Sequence, residues 1–169
     1  MEKVIRNLKS TSISHPRLPN NIPMFTQKFE KKIELRWSDL DPNFHLKHSI
    51  YYDLAVQFRL EMMTQAGLTV EKMKTELISP ILFREEAIFK KEILYGDTIF
   101  INLKLAKGNE TFSKWGFRHE LYKADGTCCS ILNVEGAWLN LKTRKLAMPP
   151  AFIIEFGKSL PKTDDYQTI

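Results

Sequence analysis

The sequence predicts an α+β domain in which one long helix packs against one antiparallel sheet. Three observations predict it: a single segment with apolar residues at helical spacing, several alternating segments after it, and Gly- or Asp-bearing turns between them. At 169 residues and 43% apolar content, the chain has the size and composition of one domain with a working core, unlike a disordered chain. The organisation read from it is an N-terminal arm over residues 1–24, a domain over 25–157, and a C-terminal tail over 158–169.

The arm carries Pro16, Pro19 and Pro23, with Glu2 as its one acid, and lacks the apolar stretch of a secretory signal. Patterned sequence begins just after Met24. From Phe25 to Trp37, Phe29, Ile33, Leu35 and Trp37 alternate with charged residues, which describes a half-buried strand. Ile50, Tyr51, Leu54, Ala55, Phe58, Met62 and Ala66 then mark one face of a helix, with Ser49 as its N-cap and Gly67 as its stop. Thr69 to Glu76 reads as a further helical turn. Strands are expected over Ile81–Leu94, Thr98–Ala106, Thr111–Lys123 and Thr127–Leu141. Tyr95-Gly96-Asp97, Lys107–Glu110 and Ala124-Asp125-Gly126 supply the turns of an antiparallel meander. A lone helix with so apolar a face is best buried by lying across a strongly curved sheet.

Charge and cysteine content narrow the function classes. The formal charge of +5 is spread along the chain, without the basic block of a nucleic-acid tail, so no nucleic-acid partner is expected. No apolar run approaches the ~20 residues of a membrane span. The two cysteines, Cys128 and Cys129, are adjacent and form neither a disulfide framework nor a zinc spacing, so no metal is expected. A reducing, cytoplasmic setting fits this; the acid-poor start also faintly resembles an organelle transit peptide, the lesser reading.

Chemistry concentrates in Arg36-Trp37-Ser38-Asp39-Leu40-Asp41-Pro42-Asn43-Phe44-His45-Leu46-Lys47-His48, which leads straight into the helix. A carboxylate at the mouth of a helix N-terminus suits reactions needing a base or nucleophile beside an anion-stabilising dipole. Alone, Asp41 reads as a turn-former before proline; with Asn43, His45 and a helix start in order, it reads as catalytic. Asp39 reads as structural, an acceptor for backbone amides or for Arg36. The first helical N–H groups, around Ser49, Ile50 and Tyr51, lack internal partners and suit an oxyanion. Lys142, Arg144 and Lys145 suit a nucleotide phosphate or, more plainly, form a solvated face.

This motif resembles the hotdog-fold acyl-CoA thioesterases of the 4-hydroxybenzoyl-CoA thioesterase-like group and the related acyl-carrier-protein thioesterases. A second match is Glu135-Gly136-Ala137-Trp138-Leu139-Asn140-Leu141 with the following Pro149-Pro150; the similarity spans roughly residues 26–155. The resemblance implies a long central helix wrapped by a curved antiparallel sheet of about five to six strands. It implies hydrolysis of acyl-CoA or acyl carrier protein thioesters, in fatty acid metabolism, with no cofactor. It implies a homodimer or homotetramer whose site forms between subunits. The 4-hydroxybenzoyl-CoA branch places the catalytic carboxylate at Asp41 and an auxiliary histidine at His48. The carrier-protein branch places Asn43 and His45 in the site. The family commonly has His-Val-Asn-Asn where this chain has His45-Leu46-Lys47-His48, so both asparagines that brace the loop are replaced. Alternatives are a non-catalytic acyl-CoA-binding module and a hotdog enoyl-CoA hydratase or dehydratase.

Overall fold

The computed structural model describes residues 28–169; the arm expected over 1–24 lies outside the described residues. Strand β1 (Glu30–Ile33) leads through a single 3-10 turn (Trp37–Asp39) to helix α1 (His48–Gln65). A short helix α2 (Val70–Thr75) follows, then β2 (Ile78–Phe89), β3 (Ile99–Asn102), β4 (Lys104–Gly108), β5 (Lys114–Lys123) and β6 (Cys128–Asn140). Helix α3 (Ala151–Ser159) and strand β7 (Lys162–Thr168) complete the chain.

The long strands β5 and β6 pair antiparallel and form the middle of a seven-stranded sheet. Beyond β6 lies β2; beyond β5 lie β3 and β4 end to end, followed by β1 and β7. The strand expected over Thr98–Ala106 is thus split. At the break, the Leu103 amide turns to Phe29 O and the Leu105 amide to Pro161 O, so the two halves serve different neighbours. The expected meander also gives way, because β2 and β3, joined by a Gly96 turn, lie on opposite sides of β5 and β6. Residues 90–98 cross between them, anchored by the fully buried Ile93.

The segment expected as a tail is part of the sheet. Strand β7 runs parallel to β4, and Asp165 accepts two hydrogen bonds from the Arg118 guanidinium at 2.8 and 2.9 Å. Helix α3 buries Ile153 and Phe156, and its Gly157 lies where a Cβ would meet the Phe112 ring at 2.5 Å.

Helix α1 buries Tyr51, Ala55, Phe58, Met62 and Met63 against the sheet. Its N-cap lies two residues earlier than the expected Ser49. Lys47 holds the N-cap position without a side-chain cap, and its amide instead donates to Asp39 O at 2.9 Å. The helix ends in Gly67 at φ +96°, the left-handed stop the sequence indicated. Thr69 caps α2 by accepting from the Lys72 amide.

Under α1 the core holds a polar trio. Arg59, on the helix, donates to Glu85 Oε1 of β2 at 3.0 Å and lies 3.2 Å from His119 Nε2 of β5. Since arginine only donates, His119 Nε2 accepts, and its Nδ1 carries the proton given to Asn102 O at 2.8 Å. Complete burial, reinforced by the Arg59 charge, pushes the His119 imidazole down to about 3. The unfolded chain takes up a proton below about pH 6.5 that the folded chain refuses. His119 therefore leaves stability intact above that pH and erodes it as pH falls, by roughly 4–5 kcal/mol at pH 3. Urea unfolding between pH 7 and pH 4 should show this slope, and His119→Gln should flatten it.

Candidate active site

Residues 40–46 close a small hairpin. The Asp41 amide donates to His45 O at 2.8 Å, the Phe44 amide to Asp41 O at 3.0 Å, and Leu40 bridges Leu46. Phe44 takes φ +62°, a costly value for a bulky residue, which the turn enforces. Asp41 Oδ1 accepts from the backbone amides of Asn43 at 2.8 Å and His45 at 3.0 Å. The carboxylate thus holds its own turn, as a residue before proline does, while Oδ2 has no partner among the described residues.

Asp39 points the other way. Its buried carboxylate accepts from the Arg36 amide, Nε and Nη2. Burial alone would push this carboxyl up; the Arg36 hydrogen bonds, with the Arg36 and Lys47 charges, outweigh it and hold the group below its ordinary range. Asp39 is structural, as its position suggested.

The crossover after β2 joins this loop. The Leu46 amide donates to Ile93 O at 2.9 Å, and His45 bridges Leu94. The result is an open cleft of about 390 Å3 lined by Asp41, His45, Leu46, His48, Tyr51 and residues 89–92. His45 Nε2 lies 3.6 Å from Glu92 Oε2 across it. Tyr51 is buried beneath, its ring 5.0 Å from that of Phe89, and burial pushes its phenol up to about 12. Trp37, Phe44 and Tyr95 form an exposed aromatic cluster beside the cleft, with ring centroids 5.8 Å apart in each pair with Trp37.

Of the residues expected in the site, Asp41, His45, His48 and Tyr51 come together here. Asn43 is exposed at the turn, outside the lining, and holds the loop through its amide. Ile50 and Tyr51 are not free amide donors: Ile50 N–H goes to Lys47 O at 3.0 Å, and Tyr51 begins the helical ladder. The amides without an acceptor among the described residues are those of His48 and Ser49.

Lys142 and Arg144 lie elsewhere. Their turn follows β6 beside the Ile78 end of β2, whereas the cleft borders the Phe89 end of that 12-residue strand, roughly 36 Å away at about 3.3 Å per residue. Lys90, Lys91 and Glu92 escaped the sequence reading, since only the crossover brings them to the motif. No local pattern ties Glu92 to His45. Among the described residues no three His, Cys, Asp or Glu side chains are placed to hold a metal ion, and no helix is long and apolar enough to cross a membrane.

No curated protein sequence matches the chain significantly. Solved structures do share its fold. A Staphylococcus aureus protein solved in complex with CoA is 19% identical, covering 80% of this chain and 87% of its own, with a TM-score of 0.72. A 1,4-dihydroxy-2-naphthoyl-CoA thioesterase from Synechocystis is 13% identical, covering 78% and 96%, with a TM-score of 0.70. A thioesterase from Thermus thermophilus complexed with coenzyme A and Zn is 17% identical, covering 78% and 92%, with a TM-score of 0.63. At these identities the likeness establishes the hotdog-type fold. The model of one family, described as the thioesterase-like superfamily, matches residues 35–156, which takes in the Asp41 loop, α1 and strands β2 to β6, and the chain belongs to that superfamily.

Proposed function

We propose that the protein hydrolyses an acyl thioester, releasing a carboxylic acid and the thiol of coenzyme A or of acyl carrier protein. The carrying observation is the convergence of Asp41, His45 and Glu92 in one cleft at the start of α1, beside the amides of His48 and Ser49, which have no acceptor among the described residues. Superfamily membership and the thioesterases of the same fold support hydrolysis, and the CoA bound to two solved proteins of that fold, one of them a thioesterase, supports CoA as the thiol carrier.

The thioester oxygen rests on the helix-start amides. The free Oδ2 of Asp41 attacks the carbonyl carbon, or takes a proton from a water that does so. The carbonyl electron pair moves onto oxygen, where the amides and the helix dipole stabilise it. Collapse breaks the C–S bond, and His45, whose Nε2 lies 3.6 Å from Glu92 Oε2, serves as the general acid that gives a proton to the departing sulfur. In the nucleophilic route, water then hydrolyses the acyl-aspartate anhydride.

The reading extends to a second copy of the chain. Among the described residues β2 pairs only with β6, leaving a long open edge with Leu82, Phe83, Ile88 and Phe89 exposed; Val56 and Leu60 of α1 are exposed as well. Such an edge invites pairing unless covered. A homodimer with antiparallel β2 strands covers it, and a homotetramer is two such pairs. The two-fold axis brings the Ile78 end of one copy, with Lys142 and Arg144, to the cleft of the other.

Thiol release from a panel of acyl-CoA and acyl carrier protein esters tests the proposal. The wild-type chain should turn over at least one ester, and Glu92→Gln should slow it by roughly 10²-fold through loss of the His45 partner. Tight binding without release on any ester would favour a non-catalytic acyl-CoA-binding module instead.

A further inference from the structure

The first two residues after β2 are lysines, and their backbone is irregular in a telling way. Both the Lys90 and Lys91 amides donate to the same carbonyl, Cys129 O, at 2.8 and 3.0 Å. Two residues therefore oppose one, which is a β-bulge. In a regular strand neighbouring side chains leave on opposite faces. Here the bulge breaks that alternation, and both lysines border the Asp41 cleft.

Both lysines are exposed, and neither ammonium forms an ion pair among the described residues. The acid next in sequence, Glu92, faces His45. Two neighbouring like charges, unneutralised and held at the lip of a cleft, favour an anion with several oxygens. The Asp41 and Glu92 carboxylates keep such an anion away from the reacting centre and leave the lip as its place.

We propose that Lys90 and Lys91 are the subsite for the phosphate that heads the phosphopantetheine arm, the anionic group common to coenzyme A and acyl carrier protein. This rests on the hydrolase reading and names the residues that hold the leaving-group half of the substrate. It assigns to the cleft's own protomer a role the sequence had suggested for Lys142 and Arg144.

The test compares the full wild-type chain with Lys90→Gln/Lys91→Gln on three thioesters of one acyl group: the CoA ester, the carrier-protein ester, and the N-acetylcysteamine ester, which has no phosphate. The double variant should raise the ratio of the KM for acyl-CoA to that for the N-acetylcysteamine ester by roughly 10–100-fold, with the loss in KM rather than kcat. Lys90→Arg/Lys91→Arg should restore most of it. A rise confined to the CoA or to the carrier-protein ester supports the subsite and identifies the phosphate's source. An unchanged ratio for both overturns it while leaving the hydrolase reading intact. Calorimetric titration with CoA needs no turnover. There Kd should rise by roughly 10-fold or more in the double Gln variant, and an unchanged Kd overturns the subsite even if no ester is cleaved.

Discussion

Asp41→Asn should lower kcat on any cleaved thioester by about 10²–10⁴-fold while leaving the melting temperature nearly unchanged. The amide oxygen still accepts from the Asn43 and His45 backbone, so the turn keeps its internal hydrogen bonds. What is lost is the negative charge and the free basic oxygen. Asp41→Ala removes the acceptor as well and should cost about 1 kcal/mol of stability per lost bond in addition. Steady-state thiol release, paired with thermal melts of both variants, separates the two roles of this side chain. Wild-type rates in Asp41→Asn would reduce Asp41 to a turn-former and move the chemistry to Glu92.

The largest effect on stability is expected at Arg59→Ala, at about 3–5 kcal/mol. The guanidinium is 3% exposed and joins α1 to β2 and β5 through Glu85 and His119. Its removal strands a half-buried carboxylate and leaves the lone pair of a buried imidazole without a donor, besides opening a cavity. Against a typical net stability of about 5–15 kcal/mol, that is a large share. Arg59→Met/Glu85→Gln removes both charges and should recover much of the loss, because the penalty comes from an unpaired charge rather than from a missing attraction. Urea denaturation of the three chains at pH 7 checks the order.

Much of the architecture was legible because periodicity reports burial. The α1 stripe, the alternation in β5 and β6, and the turns at Gly67, Gly96 and Gly126 all stand where the sequence put them. The failures share a cause: partners distant in sequence. Ser49 reads as a cap, yet the Lys47–Asp39 backbone bond starts the helix earlier. Strand β7 shows no apolar alternation, since a polar edge held by Arg118 does not need it. The same limit applies to the site. Asp41 and His45 announce themselves within one motif, while Glu92 and the two lysines arrive through a crossover that only the β2–β6 register and buried Ile93 define.

The aromatic cluster gives the molecule an optical reporter. Of its three tryptophans, Trp115 and Trp138 are sealed in the core at 1% and 0% exposure, whereas Trp37 is 65% exposed. Its ring touches Phe44 from the Asp41 turn and Tyr95 from the crossover, the two walls that bring the reacting groups together. Iodide reaches this indole and not the two sealed ones, so its quenching follows movement of either wall on the unlabelled protein.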